Sequence, residues 1–378
     1  MELSLRAELA IHGLRAAPPV RRRAGAGPSD DGHWVLDVAA SSPPAELARA
    51  EGPPIPGPLR VRSTPATLPL ATNSPFALDI HGRLTRDGVV VEDTMVEAVE
   101  RPRFYDLTTT DGVAFEQLAR LHGRDVLATT VVQTCIRYRS ADTRCRFCTI
   151  EESLRAGATT QVKRPEQLAE VAAAAVRLDG VKQMVMTTGT SAGDDRGAKH
   201  LGKCVRAVKA AVPALPIQVQ IEPPVEETWI DALHDAGADA IGIHIEALDQ
   251  SVRERWTPGK ATVSVARYEQ AWARALAAFG PNRVSTYLLV GLGEDPDELV
   301  AGATRLIELG IYPFVVPYRP LVGSLAHGDG VDAPPPSVLA DVTRQVGAAL
   351  AAAGMRGVDQ VAGCAACGAC SALRHAGG

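Results

Sequence analysis

Aromatic residues are scarce: Phe, Tyr and Trp make up only 4% of the 378 residues. That weakens any case for recognition of nucleic acid by stacked bases. A basic excess is also missing. Thirty-nine Lys and Arg stand against 44 Asp and Glu, for a net charge of −5 and a pI of about 6.0. A general nucleic-acid partner is therefore not expected. There is no apolar run of roughly eighteen residues, so no membrane span is expected either. The opening stretch, MELSLRAELAIHGLR, mixes charges into its apolar residues and lacks a signal-peptide core. A cytoplasmic location is the expectation. What remains is an ordinary globular composition, 46% hydrophobic and 22% charged, long enough for one large core or two to three domains.

The cysteines are few but unevenly placed. Of seven, six fall into two groups: Cys135, Cys145 and Cys148, and then Cys364, Cys367 and Cys370. Cys204 stands alone in the helical stretch LGKCVRAVKAAV and reads as a small buried hydrophobe. In a reducing compartment, clustered thiols indicate metal or redox chemistry rather than a disulfide frame. Each group has three thiols, one short of a closed tetrahedral zinc site. Three thiolates on a four-iron cluster would leave one iron free to bind something else.

The chain divides into three. Residues 1–125 form an N-terminal extension of unassigned role. Its first seventy residues hold the basic run Arg21–Arg23, the turn-rich GAGPSDDG and the proline-rich EGPPIPGP, and read as a small irregular β domain or an extended wrap. A strand over Gly88–Glu92 and a helix over Val113–His122 are expected next. From residue 126, β-branched runs alternate with amphipathic stretches. Strands are expected over Val126–Cys135, Gln183–Gly189, Ile217–Glu222, Ala240–Glu246, Arg283–Gly291 and Phe314–Leu321. Helices are expected over Pro165–Leu178, Lys199–Val212, Val225–Ala236, Ser264–Phe279 and Asp295–Leu309. Six such units predict an α/β fold with a parallel sheet over residues 126–325, either an open doubly wound sheet or a full or partial barrel, and a partial (β/α)6 TIM-like barrel is preferred. Residues 326–378 supply a proline-rich linker, a helix over Ser337–Gly354 and the cysteine-rich tail.

Two strands carry one polar face each. Gln218, Gln220 and Glu222 alternate with Ile217, Val219 and Ile221; Gly242, His244 and Glu246 alternate with Ile241, Ile243 and Ile245. A parallel strand covered on both faces should be nearly all apolar. A polar, ligand-filled barrel interior is the preferred explanation, and a satisfied buried hydrogen-bond network is the other.

The segment Thr134-Cys135 to Cys145-Arg146-Phe147-Cys148 follows the first barrel strand, at the face where barrel active sites form. It resembles the cluster loop of radical S-adenosylmethionine (radical SAM) enzymes, which hold a [4Fe–4S] cluster with three cysteines at this place. Cys145-Arg146-Phe147-Cys148 matches the second half of the family's C-x3-C-x2-C pattern, aromatic residue included. The nine-residue gap after Cys135 departs from it. The resemblance continues over roughly residues 126–325. Thr187-Thr188-Gly189-Thr190 stands where the family has a Gly-Gly-Glu-like turn for the methionine amino group, with one glycine and no glutamate. Ile243 to Asp249 resembles a ligand-contacting element, followed by Arg253 and by Pro258-Gly259-Lys260, a pattern similar to the biotin and lipoyl synthase branch. Val290-Gly291-Leu292-Gly293-Glu294 resembles a turn that packs near adenine. The chain also resembles a radical SAM subgroup found in bacterial nitrilase-containing gene clusters.

The resemblance implies S-adenosylmethionine (SAM) and a [4Fe–4S] cluster as cofactors. It assigns Cys135, Cys145 and Cys148 as cluster ligands. Phe147, Thr187, Thr188, Gly189, Thr190, Glu222, His244, Glu246, Arg253 and Gly291 become candidate cofactor contacts. It implies an electron donor such as flavodoxin or ferredoxin. No catalytic residue is named. Cys364-x2-Cys367-x2-Cys370 resembles a ferredoxin run and is read as an auxiliary [4Fe–4S] site. A zinc site completed by His375 or Cys204 is the other reading, and a tail that binds nothing is a third. The polar interior face implies a small polar substrate, with oxidation or sulfur insertion as the chemistry. Two other functions stand beside this one. One is a non-catalytic iron–sulfur or metal carrier, such as a maturation scaffold. The other is a zinc-dependent barrel hydrolase using Glu222, His244 and Glu246. A zinc site at the first cysteine group, with His122 as a further ligand, is the alternative for those thiols.

Overall fold

The computed structural model describes residues 1–15, 33–39, 64–98 and 101–376. Arg21–Arg23, GAGPSDDG and EGPPIPGP lie outside the described residues. Five strands come first: β1 (His33–Ala39), β2 (Thr64–Pro69), β3 (Phe76–Leu78), β4 (Arg83–Arg86) and β5 (Val89–Ala98). They form an antiparallel sheet in the order β2-β1-β5-β4-β3. The strand expected over Gly88–Glu92 is the start of the longer β5. The helix Leu3–His12 packs Leu9 against this sheet with Leu68, Phe76 and Leu84, a small core of its own.

A second sheet carries the rest. Its strands are β6 (Arg120–His122), β7 (Val126–Thr130), β8 (Gln183–Thr187), β9 (Ile217–Ile221), β10 (Ala240–Ile243), β11 (Val284–Val290) and β12 (Tyr312–Pro317). The order is β12-β11-β10-β9-β8-β7-β6, with β7 to β12 parallel in chain order and β6 antiparallel to β7. Six parallel strands, linked through helices, make the expected open (β/α)6 half-barrel. The helices start and stop on local signals. Pro165 opens Pro165–Asp179, where Arg164 and Gln167 form a reciprocal cap and Gly180 closes it in the left-handed region. Asp295 caps Pro296–Glu308 through the backbone amides of Asp297 and Glu298. The apolar faces of these helices bury Ile217, Val219, Ile241 and Ile243 in one continuous core.

Three expectations need correction. Val113–His122 is not one helix: a single turn, Phe115–Leu118, gives way to β6, because Arg120–His122 finds hydrogen-bonding partners on β7. The strands are shorter than expected at their C-terminal ends. Val126–Cys135 stops at Thr130, Gln183–Gly189 at Thr187 and Ala240–Glu246 at Ile243, and the residues beyond leave the ladder to build loops at the barrel mouth. Lastly, the interior is not left wholly to a ligand. The tail of this same chain enters the barrel from below, where the backbone amide of Gly363 donates to Gln183 at the start of β8 (2.6 Å). Gln218 and Gln220 face it. Gln220 donates to Gln218 (3.0 Å) and also lies 3.4 Å from the Cys364 Sγ. The lower polar face is thus a network closed by the tail.

Candidate functional site

The first cysteine group lies at the mouth, on the loop that leaves β7. Several backbone bonds pin that loop to its neighbours. Ile136 donates to Thr190 O (2.9 Å), Gly259 to Thr143 O (3.1 Å) and Arg146 to Trp256 O (2.8 Å). Cys148 turns back on Cys145 through an amide-to-carbonyl bond of 2.9 Å. Arg144 stacks 3.7 Å above the Tyr138 ring and donates to the Cys148 and Gly323 carbonyls, so the long C-x9-C gap folds as a braced lobe. Phe147 packs with Ala247, Val252, Trp256 and Leu292, which anchors the turn between the last two cysteines. Gly189 passes so close to the loop that a Cβ there would collide with the Thr134 carbonyl oxygen. Its amide donates to Val132 O (2.8 Å).

Charged side chains from the next strand ends converge below this loop. Lys260 Nζ donates to both oxygens of Glu246 (2.7 Å each) and to the His244 carbonyl (2.8 Å). Arg137, two residues after Cys135, donates to Glu222 Oε1 at 2.6 Å, and the Thr190 hydroxyl donates to Glu222 Oε2 at 3.0 Å. Glu246 holds a positive φ of 67°, a strained conformation for a side chain of this size. The strain turns its carboxylate toward Lys260 while its backbone stays bonded to Tyr287 and Leu289 of β11. Burial pushes the Cys145 thiol well above its ordinary range and Cys148 up to about 11; the Lys260 ammonium opposes both shifts. A buried cation beside buried thiols favours their thiolate forms, the ones that bind metal.

His244 points back into the barrel over Gly242 and stacks on Tyr287 (4.0 Å between centroids, 12° between planes). Its Nδ1 accepts the Tyr287 amide (3.2 Å), so in the neutral ring Nε2 carries the proton; that nitrogen is buried without a partner. Burial lowers the His244 pKa to about 3, which keeps it neutral. Tyr287 faces inward, and its hydroxyl donates to Cys364 Sγ at 2.6 Å. The remaining candidates fall around this centre. Thr187 shares a 2.8 Å bond with Thr130, and the Thr188 hydroxyl donates to Gly189 O. Gly291 has φ +105° and backs onto Pro334. Arg253 is turned elsewhere. It donates to Gln250, Lys260 O and Val263 O and sits over the Tyr268 ring, so it clips the Lys260 segment in place. The two carboxylates proposed for a zinc hydrolase, Glu222 and Glu246, are each taken by a cation rather than gathered around His244.

The second cysteine group lies at the opposite end of the barrel, buried under the N-terminal helix and β2. Burial pushes the Cys364 thiol up to about 11, against the hydrogen bonds from Tyr287 and Gln220. Burial also raises Cys370, which Arg319, Arg6 and Thr67 oppose. Neither partner named for a zinc site is at hand. Cys204 is fully buried beside His200, 3.6 Å away, and the half-buried His375 lies near the chain's N-terminus. His122, considered above for the first group, stands instead 3.3 Å from Cys370. Among the described residues, no three His, Cys, Asp or Glu side chains converge tightly enough to hold one metal ion. Sequence reasoning missed both Arg137, as a partner for Glu222, and the inward-facing Tyr287. Its alternation with Ser285 was the available signal.

No described helix is long and apolar enough to cross a membrane. Residues 136–306 match the model of the Radical SAM superfamily, a match that contains Cys145 and Cys148 and begins one residue after Cys135. A lipoyl synthase from Halorhodospira halophila is 28% identical over 182 residues, 44% of this chain and 51% of that protein, so the chain spans about half the length of that relative. Two solved structures are similar at lower identity. The FeFe-hydrogenase maturase HydG from Carboxydothermus hydrogenoformans gives 18% identity, a TM-score of 0.46 and coverage of 60% of this chain and 51% of that one. Methylornithine synthase (PylB) gives 16%, 0.45, 64% and 71%. This chain therefore carries a radical SAM domain over residues 136–306.

Proposed function

We propose that the protein is a radical SAM enzyme acting on a small polar substrate held inside the half-barrel. The observation that carries the reading is the braced loop of Cys135, Cys145 and Cys148 at the barrel mouth, above Lys260, within a domain that matches the superfamily. Cys135, Cys145 and Cys148 would hold a [4Fe–4S] cluster, which when bound would supply the electron for reductive cleavage of the SAM sulfonium C–S bond, releasing methionine and a 5′-deoxyadenosyl radical able to take a hydrogen from substrate. The protein's part is placement. Arg137, Lys260 and the two carboxylates they hold offer paired charges for the amino, carboxylate and ribose groups of the cofactor. Gly189 lets the β8 turn approach the cluster loop, and Phe147 fixes the turn between Cys145 and Cys148. Inside, His244 presents Nε2–H to a hydrogen-bond acceptor on the substrate. The tail below would hold an auxiliary [4Fe–4S] cluster, which fits either oxidation of a substrate radical or sulfur insertion. An electron donor of the flavodoxin or ferredoxin kind would be its partner. Anaerobic reconstitution tests the reading. Reduced protein should convert SAM to 5′-deoxyadenosine, and Cys148→Ala should not. Iron that binds without any cleavage would favour a carrier and end this proposal.

A further inference from the structure

We propose that His122 is the fourth ligand of a second iron–sulfur centre on the barrel floor, completing Cys364, Cys367 and Cys370, and that Arg6 and Arg319 offset its negative charge. The proposal rests on the tail-cluster reading above and says what closes that cluster.

His122, the last residue of β6, and Gly123 after it lie against two of the three thiols. His122 Nε2 is 3.3 Å from Cys370 Sγ. At Gly123, φ is +60° and a Cβ would sit 2.8 Å from Cys367 Sγ, so the position requires glycine twice over. His122 is 6% exposed, and its Nδ1 has no partner among the described residues. A buried imidazole with a single contact, and that contact a thiol, is an unfilled donor.

The charges point the same way. Arg6 is fully buried; one Nη donates to Ala369 O (2.7 Å), and its Nε and other Nη have no partner among the described residues. Arg319 reaches Thr67 O at 3.4 Å, and its Nε has none. No carboxylate among the described residues pairs with either. Two guanidinium ions beside the tail, Arg6 fully buried and Arg319 partly so, need negative charge nearby. Three thiolates on a four-iron core leave a centre that is negative overall and meet that need. The rest of the surroundings donate as well. Tyr287 and Gln220 donate to Cys364, and the Thr67 amide ties Ala369 down at 2.9 Å. The N-terminal extension thus acquires a role: its helix, β2 and β6 form the outer wall of this centre. With four protein ligands the centre has no open iron. A centre closed in this way would suit electron transfer, the oxidation branch of the reading above, rather than sulfur insertion.

The test uses the full chain with Cys135, Cys145 and Cys148 all changed to Ala, reconstituted with iron and sulfide and then reduced. Only the floor centre should load, at about four irons per chain. Growth with 15N-histidine should alter a nitrogen coupling in its spin-echo spectra of the size given by directly bound imidazole. That coupling should vanish in His122→Ala. In His122→Cys it should vanish while iron is retained. About four irons with no histidine coupling would overturn the His122 assignment and leave the tail cluster standing. Zinc, or no metal, would overturn both. The labelling leaves His122 unaltered, so a misfolded variant cannot mask the answer. SAM cleavage by the unmodified enzyme is scored separately and tests the mouth site alone.

Discussion

Lys260 holds its ammonium 2.7 Å from both oxygens of Glu246, and both side chains are almost wholly withdrawn from water. Removing one partner of such a pair strands the other. Lys260→Met should therefore destabilise the protein by about 3–5 kcal/mol. The double variant Lys260→Met/Glu246→Gln should recover much of that loss, since no buried charge is left alone. Urea midpoints of the three proteins check this; equal losses in single and double variants would contradict it. At this scale the sequence was only partly legible. Cys135, Cys145, Cys148, Glu222, His244 and Glu246 were readable from spacing and strand alternation. Which cation meets which carboxylate was not. Lys260 and Arg253 are seven residues apart on the same connection, and only the fold turns one inward and spends the other on backbone carbonyls.

The loops between elements carry the site, and here backbone approach decides. Gly189 has the Thr134 carbonyl where its Cβ would go, directly before Cys135. Gly189→Ala should push the cluster loop aside. We expect iron at the mouth site to fall at least twofold while the far-UV circular dichroism stays the same. Unchanged iron would show that the loop relaxes freely. Alternation of strand and helix made the six parallel strands legible, because β-branched runs and capped amphipathic helices are local signals. The end of β7 was not, since Val131 and Val132 are as apolar and β-prone as the strand itself but leave its ladder to pair with residues 161–163. β6 was missed for a related reason: Arg120–His122 reads as helix by itself and becomes strand through pairing with β7. The tail's entry into the barrel was hidden as well. Polar residues on β9 looked like a ligand face, but Gln220 meets Cys364, 144 residues further on, and Arg137 takes Glu222.

Across the whole molecule, two sulfur-rich sites lie at opposite ends of one half-barrel, joined by the column of His244, Tyr287 and Cys364. Burial of the column has a pH signature. The folded His244 has a pKa of about 3 against 6.5 when unfolded, so below pH 6.5 the unfolded chain takes up a proton that the folded one refuses. Stability must therefore fall as the pH drops from 6.5 toward 3, by about 2 kcal/mol at pH 5 from this residue alone. His244→Gln should flatten the decline in urea unfolding between pH 7 and 5; an unchanged slope would mean that the ring ionises freely in the fold. The N-terminal extension could not be given a role from its sequence, because its contacts with the tail span more than three hundred residues. Radical chemistry at the mouth cysteines can be read from 5′-deoxyadenosine production from SAM by the anaerobically reconstituted, reduced protein. Turnover is expected in the wild type and is abolished in Cys135→Ala, Cys145→Ala and Cys148→Ala. A protein carrying its full iron that leaves SAM intact, or cleavage that survives loss of these cysteines, would contradict it.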